Sequence, residues 1–243
     1  MPTAIPYCGP GPGPSELLSR WNLDPWVMVG LAAAAGAYAL HRRQGGEGRD
    51  LLVLGGLAVL ALAFVSPLCA LSSALFSARV FHHALLIAVA APLLAFGLPR
   101  VPAPSLAAAT LAQTVALWAW HAPAAYDWAL SNDGAYWLMQ ASLLGSGLAF
   151  WAAARRASEL GAAAALLSTL MQTGLLGALI TFAGRPLYAP HLTTTEAWGL
   201  TPLADQQLGG LIMWAPMAGA YLIGAVLMFG QALASEPKRA PAL

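Results

Sequence analysis

An all-α, polytopic membrane fold follows from three features of this chain. Of its 243 residues, 59% are hydrophobic and only 9% are charged, where a soluble domain carries roughly a quarter. The apolar residues gather in seven stretches, each near the roughly 20 residues needed to cross a hydrocarbon layer. None of these stretches holds Asp, Glu, Lys or Arg in its interior. The sequence therefore predicts seven transmembrane helices.

Taken in order, the first 25 residues are rich in Pro and Gly, with no basic start and no apolar run before Trp26. They read as an outer tail, without a cleavable signal segment. Spans are expected at 26–41, 51–69, 80–98, 103–121, 135–154, 162–183 and 207–233, some reaching full length only with flanking aromatics. Residues 26–233 thus form one transmembrane domain, and 234–243 a cytoplasmic tail. Polar breaks separate the spans at Arg42 to Asp50, at Arg100, at Ser131 to Gly134, and at Arg155-Arg156. The stretch 184–205, with Pro186, Pro190 and Pro202, is expected as a surface loop. Pro92 and Pro216 should kink spans three and seven. Gly174, Gly177, Gly209 and Gly210 should let backbones approach closely. Gln113, Gln140, Ser168, Gln172 and Thr173 should hydrogen-bond between helices. Asp205 is placed to cap the start of span seven.

Orientation follows from Lys and Arg. Alternating crossings put Arg42, Arg43, Arg49, Arg100, Arg155, Arg156, Lys238 and Arg239 on one side, and Arg20, Arg79 and Arg185 on the other. The excess marks the cytoplasm, so the N-terminus lies outside and the C-terminus inside. Trp21, Trp26, Trp118, Trp120, Trp128, Trp137 and Trp198 then fall at the outer boundary, where an indole N–H stays wet.

This topology gathers the chemistry on one face. His82 and His83 begin span three from outside, His121 ends span four there, His191 lies in the outer loop, and Cys8 and Cys69 share that side. Only His41 is cytoplasmic. Imidazole and thiolate together suit copper or zinc, and soft sulfur favours Cu(I). The candidate metal ligands are Cys8, Cys69, His82, His83 and His121; Met213 and Met217, four apart, would add thioethers. Plainer readings stand beside these: His82 in the headgroup layer, His121 as an interface anchor, His191 solvated, His41 at the cytoplasmic surface, and both methionines in packing. For the cysteines, a disulfide and a metal pair are both open. A net charge of +1 gives no clustered basic face for nucleic acid. The lack of charge within any span argues against an ion-coupled transporter.

Four segments carry a resemblance. They are Tyr7-Cys8-Gly9 with Arg20 to Pro25; His83 through Pro92; His121-Ala-Pro123 through Asp127; and Arg185 through Tyr188 with Asp205 through Trp214. In order and spacing the chain resembles the multi-spanning CtaG family of cytochrome c oxidase assembly factors. The resemblance implies a seven-spanning protein of the bacterial inner membrane that is not an enzyme. It would bind copper at the outer face, deliver it to a cytochrome c oxidase subunit, and receive it from a soluble copper donor. His83, His121 and Asp205 fall on the family's polar landmarks. Relatives often carry a histidine four residues before the one matching His83, and here that position is Arg79; a span-five histidine is replaced by Gln140. A haem-binding protein using His83 and His121, and a cofactor-free chaperone for oxidase subunits, are the alternatives.

Overall fold

The computed structural model describes residues 5–99 and 101–235. Arg100, Lys238 and Arg239, which weigh in the orientation argument, lie outside the described residues, as do residues 236–243 of the expected tail. Every regular element among the described residues is helical. Helix α1 (Pro25–Arg43) starts from Asp24, whose carboxylate accepts from Trp26 N at 2.7 Å, with proline at the first helical position. A short turn returns the chain as α2 (Asp50–Val65). Tyr38 donates to Asp50 at 2.7 Å and Arg42 pairs with it at 2.9 Å, closing the hairpin. At Ser66-Pro67 the chain bends by 48° into α3 (Leu68–Ala74). Leu75 is extended, and α4 (Phe76–Ala84) begins behind it.

The third rod shows what a proline does inside a span. Pro92 does not sharply break it; the preceding residues Leu85–Ala90 widen into a π-turn, followed by α5 (Ala91–Gly97). In that register Ala91 N reaches back to Leu86 O, and the next acceptor, Ile87 O, faces proline, which has no N–H. Trp151 supplies the missing donor, its indole N–H bonding Ile87 O at 2.9 Å. Pro216 acts likewise within a second π-turn, Met213–Met217, between α10 (Pro202–Ile212) and α11 (Ala218–Ser235).

The remaining rods are α6 (Leu106–His121), the short α7 (Pro123–Ser131), α8 (Asp133–Ala154) and α9 (Glu159–Thr181). Ser105, Asn132 and Ser158 each cap the helix that follows by accepting a backbone N–H. Helix α9 packs against α10 and α11, α10 against α4, and α8 against α5 and α6. The α9/α10 crossing depends on glycine at both sides. A Cβ on Gly177 would lie 2.8 Å from Gly210 O, and one on Gly210 would lie 2.7 Å from Gly177 O. Gly174, also expected at a close approach, has only ordinary contact with Trp214.

By length and composition three rods are apolar enough to cross a membrane: Phe76–Gly97, Glu159–Thr181 and Pro202–Ala234. The bent pair Asp50–Val65 and Leu68–Ala74 makes a fourth when counted as one span. The expected span at 103–121 is a 16-residue helix, about 24 Å at 1.5 Å per residue and shorter than a hydrocarbon layer of about 30 Å.

The tail folds back across one end of the bundle as a strap: Asn22 N donates to Val65 O at 2.9 Å, and Trp198 Nε1 to Pro12 O at 3.0 Å. Tyr7 O–H donates to Asp24 at 2.6 Å and stacks on Tyr136. Cys8 and Cys69 are joined as a disulfide, with Cα atoms 5.3 Å apart.

Candidate functional site

Beneath the strap, polar side chains from α4, α6, α7, α8, α10 and the 184–201 loop meet. Arg79, His82 and His83 stand at i, i+3 and i+4 on α4, and all three are essentially buried. Helical spacing sets Arg79 and His83 one above the other. His121, the last residue of α6, meets His83 edge to face with ring centroids 5.5 Å apart. His82 lies 6.1 Å from His83 on the other side and 5.1 Å from the Phe64 ring. The three imidazoles therefore form a row in the order His82, His83, His121.

The hydrogen bonds settle one tautomer. His121 Nδ1 lies 2.7 Å from Leu117 O, and a carbonyl only accepts, so Nδ1 carries the proton. In the neutral ring Nε2 then keeps its lone pair, and it has no partner among the described residues. This is the arrangement in which a backbone carbonyl orients a ligating imidazole. Tyr188 holds the same turn by donating to His121 O at 2.9 Å. Both ring nitrogens of His83, and both of His82, are likewise without partners among the described residues.

A second set of contacts fixes α4 itself. Asp205 accepts from Phe76 N at 2.6 Å, Ser77 N at 3.1 Å and the Ser77 hydroxyl. It therefore caps α4, while its own helix is capped by Thr201, whose hydroxyl accepts from Ala204 N at 3.1 Å. The expected cap is real but serves a different helix. Gln206 accepts from Leu187 N at 2.6 Å and ties the loop to α10.

The loop runs largely over the surface with only two short helical turns, as expected, but it turns His191 inward. His191 is buried, and its Nε2 lies 2.6 Å from the Tyr126 hydroxyl. Burial holds the Tyr126 phenol above its ordinary range, so the O–H stays protonated and donates to His191. Burial first, and then the charge of Arg79, push the His191 imidazole down to about 3, leaving it neutral.

The family model for the cytochrome c oxidase caa3 assembly factor (Caa3_CtaG) matches residues 33–235. The chain belongs to this family. Comparison with curated proteins and with solved structures gives no match. The Caa3_CtaG match covers every histidine of the site together with Arg79 and Asp205, while the strap and Cys8 lie before it.

Within this Caa3_CtaG protein the expected ligands separate into two groups. His82, His83 and His121 come together. Cys8 and Cys69 bond to each other, so in this form neither offers a thiolate to metal. His82 is in the interior and not in a headgroup layer. Among the described residues no set of three or more His, Cys, Asp or Glu is arranged to hold a metal ion. Met213 and Met217 are buried in the π-turn that packs against α4. Of the expected interhelical hydrogen bonds, Gln113 donates to Tyr221. Gln140 reaches Tyr136 on its own helix, and Thr173 has no side-chain partner among the described residues.

Sequence reasoning missed the burial of Arg79, which it counted as an outer surface charge. The guanidinium is fully buried, lies 5.3 Å over the Tyr136 ring, and donates through Nε to Ser72 O at 3.2 Å. The available signal was its position one helical turn before His83.

Proposed function

We propose that this protein is a seven-helix factor of the bacterial inner membrane, with its N-terminus outside, that carries copper to a nascent cytochrome c oxidase subunit. Copper is cargo in this reading, received from a soluble donor and held at the outer face by His83 and His121, with His82 beside them. The protein performs no catalysis of its own. The observation that carries the proposal is the His83–His121 pair. These are two buried imidazoles that meet edge to face with ring centroids 5.5 Å apart, one of them with its tautomer set by Leu117 O so that Nε2 is free to ligate. Two neutral nitrogen donors suit Cu(I) or Zn(II). An incomplete donor set also suits a carrier, because ligands of the acceptor can complete it during exchange. Of the two we take copper as the cargo, a reading that membership of an oxidase assembly family supports.

The seven crossings follow from the hydropathy pattern and the side-to-side bias of Lys and Arg; four of the rods satisfy length and apolarity when the bent pair counts as one. Competition titration of the purified protein with Cu(I) tests the site. One copper per chain is expected, lost in His83→Ala and His121→Ala and retained in Cys8→Ser. Equal binding in all three variants would remove the histidine pair from the mechanism. A Soret band in the protein as isolated would favour haem, and binding of neither would leave the cofactor-free chaperone.

A further inference from the structure

We propose that Arg79 anchors a binding site for a small carboxylate anion, adjacent to the histidine row. The proposal rests on how this guanidinium is buried. Arg79 has no exposure to solvent, and a guanidinium stays charged in any protein environment. A buried charge calls for an opposite charge or full hydrogen bonding, and Arg79 has no opposite charge: beyond Ser72 O, its side-chain neighbours are the neutral hydroxyls of Tyr126 and Tyr136. Among the described residues the one salt bridge joins Arg42 and Asp50 at the far end of α1. Asp205, the acid on the neighbouring helix, is spent on Phe76 N, Ser77 N and the Ser77 hydroxyl. Asp24 is occupied by Tyr7 and Trp26 N.

The geometry of what is left selects the ligand. Nε is used by Ser72 O, and the Tyr136 ring covers one face at 5.3 Å. A π face orients the cation but accepts nothing from its N–H edge. Its terminal nitrogens make no close hydrogen bond among the described residues, and the phenol hydroxyls of Tyr126 and Tyr136 near them carry no charge. That edge presents parallel N–H groups, the fork that matches the two oxygens of one carboxylate. A single positive charge calls for a single negative one, since a dianion would leave uncompensated charge in a buried site. A halide lacks the two-point match. A neighbouring side chain extends the site with a group able to donate: Gln140 stands one turn along α8 from Tyr136 and reaches its hydroxyl. Tyr7, stacked on Tyr136 from the strap, closes it from outside. Arg79 ligates no metal, so the site stands independently of the copper proposal.

Formate is the probe. The full chain is purified in detergent, and its thermal midpoint is followed while formate replaces chloride at constant ionic strength. The wild type should rise along a saturating curve, as expected when a ligand binds only the folded state. Arg79→Gln should give a flat response, and Arg79→Lys, which keeps the charge but loses the fork, should need at least tenfold more formate. Line broadening of 13C-formate by the wild-type protein, reversed by unlabelled acetate, gives a second reading should the variants fail to fold. Equal midpoints in formate and chloride without such broadening, or an undiminished response in Arg79→Gln, would overturn the proposal.

Discussion

Replacing Asp205 with alanine tests whether the histidine row is positioned by a contact between distant parts of the chain. The carboxylate satisfies two backbone N–H groups at the first residues of α4, and these lie in the interior. A buried donor stripped of its acceptor costs about 1–3 kcal/mol, so the two together give about 2–6 kcal/mol. The Ser77 hydroxyl adds little, because it can rotate toward another acceptor. For a chain of this size about 2–4 °C of midpoint accompanies each kcal/mol, so Asp205→Ala should lose at least about 4 °C in a detergent melt. Asp205→Asn keeps one acceptor oxygen and should lose about half as much. Since α4 carries Arg79, His82 and His83, the alanine variant should also bind Cu(I) more weakly. A midpoint within 1 °C of wild type would refute the reasoning; for scale, that is less than one kcal/mol.

Three further outcomes follow from the same structure. Trp151→Phe removes the donor on Ile87 O and should destabilise the protein by about 1–3 kcal/mol, read by unfolding in mixed micelles; no loss would mean that the π-turn carbonyl finds another donor. His191, held neutral down to about 3, has a folded value below its unfolded one near 6.5, so its stabilisation is complete above pH 6.5 and drains away as pH falls. His191→Gln should therefore flatten the acid limb of stability against pH between 6.5 and 5 by up to about 1.4 kcal/mol per pH unit, and an unchanged slope would contradict the burial argument. Cys8→Ser opens a link across 61 residues of chain and should cost about 4 kcal/mol by chain entropy, while making the strap a preferred site of limited proteolysis.

Helical class was legible because long apolar runs without charge leave few other folds open. Some helix boundaries were legible too, since the polar runs at Arg42 to Asp50, Ser131 to Gly134 and Arg155-Arg156 do separate helices, whereas α10 starts inside the stretch expected as a loop. The site was legible as a set and not as an arrangement. His83 and His121 are far apart in sequence, and only the folding of the bundle brings their rings together. Asp205 shows the limit most clearly. An acid at a helix start fits its own N-terminus, and nothing local says that the threonine four residues earlier already does that work. Arg79 and His191 were misplaced for a related reason. A charged or polar residue near a span boundary reads as wet, and here the strap and the 184–201 loop cover that boundary. Between the two readings of the cysteines the sequence had no preference; folding back of residues 5–24 decided it.

The claim that His83 and His121 pass copper to the oxidase is tested most directly by the copper content of oxidase assembled in a deletion strain carrying the His83→Ala, His121→Ala double variant. Membrane levels of the variant are measured alongside, so that lost protein is not mistaken for lost function. The expected result is normal variant abundance with an oxidase that is depleted of copper and low in activity. A fully copper-loaded, fully active oxidase in that strain would contradict it.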